Sequence, residues 1–216
     1  MKYKAVIFDL DGTLLDTLED LADSMDTVLI RNGFPTHGLE AYKYFIGDGV
    51  INLVRRALPE GRRDEAMVKL CLNEMKEEYG SHWDDKTSVF EGIPELLDAL
   101  SAAGIKMTVL SNKVDEFSKA MVAKLLSKWR FEIVLGERPD VPKKPDPTAA
   151  MEIVKLLGLA PQDFLYLGDT GVDMITANKA GMYAVGALWG FRKADELIAS
   201  GAQALIGNPV EFLKLL

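Results

Sequence analysis

Two aspartates flanking one leucine, Asp9 and Asp11 in "DLDGTLLDT", stand directly behind the apolar run "AVIF". Carboxylates so close repel one another, and a hydrophobic core does not need them. The pair is expected to bind a cation, to attack an electrophile, or both. Polar groups of complementary chemistry follow other short apolar runs. Ser111 and Asn112 follow "KMTVL", Lys144 stands in "KKPDP", and Asp169 follows "FLYLG", with Asp173 four residues on. Acid, hydroxyl, cation and acid therefore come from four separated segments. A carboxylate that attacks phosphorus forms an acyl phosphate and splits one hard step into two. Mg2+ prefers oxygen ligands and keeps several waters, so a few carboxylates suffice to hold it. Such a cation would share the charge of Asp9 and of an anionic ester.

These residues need a scaffold that brings strand ends together. The runs at 4–8, 106–111, 131–136, 164–169 and 183–188 are short, apolar and without clean alternation, as in strands buried on both faces of a parallel sheet. Helical segments lie between them. One starts at Pro94, carries Leu96, Leu97 and Leu100, and stops at Gly104; another runs from Pro147 through Ile153 and Val154 to Gly158. The alternation predicts an α/β fold, a Rossmann-like parallel sheet. Ligands of such sheets bind beyond the carboxyl ends of the strands, where the polar residues above are found.

Residues 16–88 break the rhythm and read as helices only. Leu18, Leu21, Ala22, Met25, Val28 and Leu29 form one stripe; Val50, Leu53, Val54, Ala57 and Leu58 a second; Met67, Leu70, Cys71 and Met75 a third. Asp16 and Glu19 resemble a capping box at the first of these helices. The expected organisation is an α/β core of residues 1–15 and 89–216 with a helical domain, 16–88, inserted after the first strand.

Composition narrows the function. The chain has 216 residues and a formal net charge of −8, with 25 Lys and Arg against 33 Asp and Glu. That balance argues against nucleic acid as a partner, because such binding rests on neutralising phosphates with a basic surface. One cysteine, Cys71, leaves no disulfide framework, and two histidines leave no His-rich metal site. The start "MKYKAVIFDLDGT" lacks a signal-peptide core, and no apolar run reaches membrane-spanning length. A cytoplasmic protein is expected, monomer or homodimer, with no membrane partner.

Taken in order, these segments resemble the haloacid dehalogenase-like phosphatases, over nearly the whole chain. "DLDGTLLDT" is similar to the first family motif, Ser111 in "TVLSN" to the second, Lys144 before Pro145 to the third, and "GDTGVDM" to the fourth. The inserted helices resemble the family's mobile cap. Within the family, "FIGDGV" and "ALWGFR" resemble the phosphoglycolate phosphatase-like branch. The resemblance implies Mg2+-dependent hydrolysis of a small phosphorylated metabolite, most of all 2-phosphoglycolate. It makes Asp9 the nucleophile and Asp11 the general acid and base. Mg2+ would be held by Asp9, Asp169, the backbone carbonyl of Asp11, and Asp173 directly or through water. Ser111, Asn112 and Lys144 would hold the phosphate, with Thr13 beside them positioning Asp11 through its hydroxyl. In the cap, Gly47, Asp48 and Gly49 with Lys43 are candidates for substrate specificity.

Other chemistries fit less well. A calcium loop would need Gly where Leu14 stands and a helix before it. Haloacid dehalogenases lack the second acid that Asp11 supplies. A phosphosugar mutase of the same fold often carries Glu at the position of Asp169, which favours hydrolysis. Pyrophosphate and nucleotides present a similar end to the core and remain alternative substrates.

Overall fold

The structure, a computed structural model, describes residues 2–216. Strand β1 (Ala5–Phe8) leads through the short β2 (Leu15–Asp16) into helices α1 (Leu18–Arg31), α2 (Leu39–Phe45), α3 (Val50–Ala57) and α4 (Glu65–His82). After β3 (Ser88–Val89) the chain alternates through α5 (Ile93–Ala102), β4 (Lys106–Val114), α6 (Asp115–Leu125), β5 (Phe131–Glu137) and α7 (Thr148–Leu157). It ends with β6 (Phe164–Gly168), α8 (Gly171–Lys179), β7 (Tyr183–Ala187), α9 (Ala194–Ala199) and β8 (Ala204–Ile206). The chain divides into two compact units. One comprises the segment through Leu15 together with Val89–Leu216, the other Asp16–Ser88.

In the first unit six strands form one sheet in the order β5-β4-β1-β6-β7-β8. Every neighbouring pair is parallel. β1 and β6 are buried along their whole length, which is why their sequences are apolar without alternation. From β1 the chain builds β4 and β5 to one side and β6, β7 and β8 to the other. The strand order therefore reverses at β1, and the carboxyl ends of β4, β1 and β6 lie side by side at the reversal, where open α/β sheets bind ligands.

Helices close the sheet because their apolar residues recur at helical spacing. α7 buries Ala149, Ala150, Ile153 and Val154 against Ile7, Leu110 and Tyr166 of the sheet, and Met174 and Ala177 of α8 join the same cluster. Full burial of a side chain such as Ile153 is worth about 1.5–3 kcal/mol. α7 stops at Gly158, whose φ of 64° is the left-handed conformation that ends helices.

The helical unit packs the stripes read from sequence: Leu21, Met25 and Val28 of α1, Leu53 and Val54 of α3, Cys71 and Met75 of α4 are all buried. Leu70 departs from expectation at 45% exposed, and Val68 is buried instead. The capping box does not form: Thr17 takes the N-cap position, and Asp16 accepts a 3.3 Å hydrogen bond from the Leu18 N–H. Asp20 is buried on α1 and accepts from the N–H groups of Lys86 and Thr87 and from the Thr87 hydroxyl, at 2.7–3.1 Å. It thus pins the returning end of its own unit.

Sequence reading did not single out α2, α6, α9 or β8. α2 is seven residues long and buries only Tyr42, so it has no stripe to see. α8, of which only its start near Asp173 was noted, is buried on nearly every side, which erases the 3.6-residue period.

Candidate active site

β1, a central strand, ends by placing Asp9 at the carboxyl end of the sheet. The Asp9 N–H still donates to Leu167 O of β6 at 2.9 Å, and its carboxylate accepts from the Leu10 N–H at 2.7 Å. The chain then turns. Gly12 has φ 80°, and a Cβ there would collide with the Asp169 carboxylate. Gly12 therefore supplies both the turn and the room for an acid from β6.

Asp169 is fully buried and doubly held. Its Oδ1 accepts from the Thr13 hydroxyl at 2.8 Å and its Oδ2 from the Phe191 N–H at 2.8 Å. A side chain at Gly190 would overlap Asp169 as well. Asp173, in the first turn of α8, accepts from the Thr170 N–H at 3.1 Å and the Thr170 hydroxyl at 2.7 Å through Oδ2. It therefore caps the helix start, while Oδ1 faces Lys144.

Lys144 joins the acids. Its buried ammonium donates to Asp173 Oδ1 at 2.8 Å and to Leu110 O at 3.0 Å, and lies 2.9 Å from Asp9 Oδ1. Its backbone is clamped by one side chain: Asn112 Oδ1 accepts from the Lys144 N–H at 2.9 Å, and Asn112 Nδ2 donates to Lys144 O at 3.0 Å. The peptide bond to Pro145 is cis. Lys143, by contrast, is partly exposed and pairs with Glu137 at 3.3 Å.

The β4 end is irregular, and that irregularity aims three side chains. Leu110 pairs with Leu135 and Val114 with Glu137, so Ser111, Asn112 and Lys113 face the single Gly136 of β5. Such bulges bend a strand and re-aim its residues. Gly136 is required here because a Cβ would come within 2.5 Å of Lys113 O. Ser111 Oγ accepts from the Lys113 N–H at 3.1 Å, Asn112 reaches Lys144, and Lys113 reaches Asp11 with Nζ 2.9 and 3.2 Å from the two carboxylate oxygens.

Electrostatics follow from burial. One oxygen from each of Asp9, Asp169 and Asp173 can be chosen so that all lie within 4.8 Å of one another, and all three residues are buried. Burial and then the Asp173 charge push the Asp9 carboxyl well above its usual range, against the opposing pull of Lys144. Burial, then Asp173, raises Asp169 to about 7, although the Phe191 N–H and Thr13 hydroxyl oppose the rise. Burial alone would lower Lys144, but Asp173 and Asp9 outweigh it and hold the ammonium well above its usual value. Two of the three carboxylates, Asp9 and Asp173, thus share one ammonium, while Asp169 is held by Thr13 and the Phe191 N–H. Hard oxygen donors with uncompensated negative charge fit a divalent cation, and fit no soft metal.

Comparison with known proteins gives the family. The family model described as haloacid dehalogenase-like hydrolase matches residues 6–187. The chain belongs to that family. A phosphoglycolate phosphatase of Pseudomonas putida is 33% identical over 210 residues, covering 95% of this chain and 76% of that protein. One from Aquifex aeolicus is 30% identical, covering 99% of this chain and 96% of its own length. Among solved structures, a Lactobacillus delbrueckii subsp. bulgaricus protein with a provisional phosphoglycolate phosphatase name superposes with a TM-score of 0.93 at 31% identity, over 100% of this chain and 98% of that one. This haloacid dehalogenase-like hydrolase is a phosphoric monoester hydrolase, of a family whose phosphatases are generally metal-dependent. No helix among the described residues is long and apolar enough to cross a membrane.

Against that family frame, each expected site residue has a definite place. Asp9, Asp169, Asp173 and Lys144 converge. Asp11 lies outside the carboxylate cluster and pairs with Lys113. Thr13 departs from expectation: it is fully buried, and its hydroxyl donates to Asp169 instead of positioning Asp11 or facing a phosphate. The Asn112 side chain is likewise committed to the Lys144 backbone. Gly47, Asp48, Gly49 and Lys43 belong to the helical unit. There Asp48 pairs with Arg56, Lys43 pairs with Glu40 at 2.7 Å, and Gly49 begins α3 with φ 86°.

Lys113, Thr170, Gly190 and Phe191 escaped sequence reading as site residues. Lys113 looks like any surface lysine in a string, and Phe191 contributes a backbone N–H, which has no side-chain signature. The available signal was the segment "ALWGFR", which contains Gly190 and Phe191.

Proposed function

We propose that the chain hydrolyses a small phosphate monoester, 2-phosphoglycolate before others, through a phosphoryl group carried on Asp9. The observation that carries this reading is the buried cluster of Asp9, Asp169 and Asp173, with the Lys144 ammonium paired to Asp9 and Asp173. The choice of substrate rests on relatives named phosphoglycolate phosphatase at about this chain's full length.

Asp9 attacks phosphorus, forming a carboxylate oxygen–phosphorus bond as the bond to the leaving alcohol breaks. Asp11 gives its proton to that alcohol. Water then attacks the same phosphorus, passes a proton to Asp11, and releases Asp9 and inorganic phosphate. Lys144, already beside the nucleophile, would hold a non-bridging oxygen, and Ser111 at the neighbouring strand end would hold another. Mg2+ bound by Asp9, Asp169 and Asp173 would neutralise the phosphoryl oxygens and let an ionised Asp9 approach them. Asp169 and Asp173 are already oriented for such a role by Thr13, Phe191 and Thr170.

A metabolite screen tests the reading. Phosphate release is measured from 2-phosphoglycolate, sugar phosphates, nucleotides and pyrophosphate, with Mg2+ and with a chelator. Mg2+-dependent turnover, highest on 2-phosphoglycolate, is expected. Asp9→Asn should lose at least about 10^3-fold in kcat. Full turnover by Asp9→Asn would remove the nucleophile assignment, and a better substrate would replace 2-phosphoglycolate.

A further inference from the structure

Two aspartates two residues apart each have their own lysine, and the lysines come from different segments. Lys144, in the loop after β5, serves Asp9, and Lys113 of β4 serves Asp11. The second pair is nearly as enclosed as the first, with side chains 7% and 13% exposed. Its geometry is built into the fold. The Lys113 N–H is taken by Ser111 Oγ at 3.1 Å, and its carbonyl accepts from the Ser118 hydroxyl at 3.3 Å. Gly136 lets the bulged strand approach β5, because any side chain there would meet Lys113 O. A lysine stem is flexible and its ammonium strongly hydrated, so an exposed lysine seldom holds one geometry. Here the backbone is fixed at both ends and the head group is drawn out of water.

We infer that Lys113 is a positioning residue for Asp11. It holds the Asp11 carboxyl apart from the Asp9–Lys144–Asp173 cluster and keeps it aimed for proton transfer. The inference rests on the phosphatase reading above, because only proton transfer gives Asp11 a geometry worth holding. Lys113 itself exchanges no proton and bonds to no reacting atom.

Phosphate esters with leaving groups of graded basicity test it. An acidic phenol leaves without a proton, whereas an alcohol or weakly acidic phenol needs one, so a displaced general acid is felt most by the poorest leaving groups. The quantity to measure is kcat/KM, which ends with alcohol departure and is blind to the later water step. For Lys113→Met, p-nitrophenyl phosphate is expected to lose less than about threefold. Phenyl phosphate and 2-phosphoglycolate are expected to lose about 10- to 100-fold, within the range of general acid catalysis. Lys113→Arg, which keeps a cation at the end of the side chain, should recover most of that loss. Should Lys113→Met melt below assay temperature, Lys113→Gln carries the same comparison. A uniform loss across all esters, or no loss, would mean that the pair only stabilises the fold and would overturn the inference. Wild-type protein inactive on every ester would instead bring down the phosphatase reading itself, so the two failures are distinguishable.

Discussion

Thr13 and Asp169 lie 156 positions apart in the chain, yet the Thr13 hydroxyl donates to Asp169 Oδ1 at 2.8 Å. The bond ties the loop after β1 to the end of β6, across neighbouring parallel strands. It also sets which way Asp169 faces, since the Phe191 N–H holds the other oxygen.

If Thr13 orients a metal-binding acid, its loss should show in metal affinity before it shows in folding. Thr13→Val keeps the shape and deletes the donor. Partners of this kind typically cost 10- to 100-fold in metal affinity or activity when lost, about the range expected here for the Mg2+ concentration at half-maximal rate. An unchanged Mg2+ dependence would show that Phe191 alone suffices to hold Asp169.

Asn112 should be needed for Lys144, although it need never touch substrate. Asn112→Ala leaves the buried N–H and C=O of Lys144 without their partners. Each such group costs about 1–3 kcal/mol when unsatisfied. A lower melting temperature and a clear fall in kcat are expected together. Wild-type kcat in a folded Asn112→Ala protein would show that the loop holds Lys144 by other means.

The buried acids predict a pH dependence with a definite sign. Asp169 is raised to about 7, chiefly by burial. Its unfolded value is about 3.9. A group with a raised folded value contributes stability that is complete below the unfolded value and is lost as pH climbs through the folded one. Asp9, also raised by burial, acts in the same direction. Exposed acids held low act at a different place. Asp163, lowered by the Ala160 N–H and then by Lys4, loses its contribution only as pH falls below the carboxylate range. In a chelator, the melting temperature should therefore fall between about pH 4 and pH 7. Mg2+ should raise it more at pH 7.5 than at pH 5, since protons then compete less for the same oxygens. Asp169→Asn should flatten the chelated profile. Identical profiles for wild type and Asp169→Asn would contradict the argument.

Much of this protein is legible in its sequence because the relevant rules are local. A strand buried on both faces must be apolar, a helix must stripe, and a carboxylate at a strand end needs a reason to be there. Those rules pointed to Asp9, Ser111, Lys144, Asp169 and Asp173, and to an α/β core with helices at 16–88. They fail where burial surrounds an element, as in α8, or where an element has almost no buried face, as in α2.

What no local rule reaches is which group holds which. The Thr13–Asp169 bond needs β1 and β6 to be neighbours. The Lys113–Asp11 pair needs a bulge that sets three residues of β4 opposite Gly136. Phe191 enters through a main-chain N–H, which every residue but proline carries. Sequence alone determined the kinds of group present and their places at strand ends, because residue type and periodicity are written along the chain. Only the tertiary structure decided their partners, because strand order, register and close glycine contacts arise from packing between segments far apart in sequence.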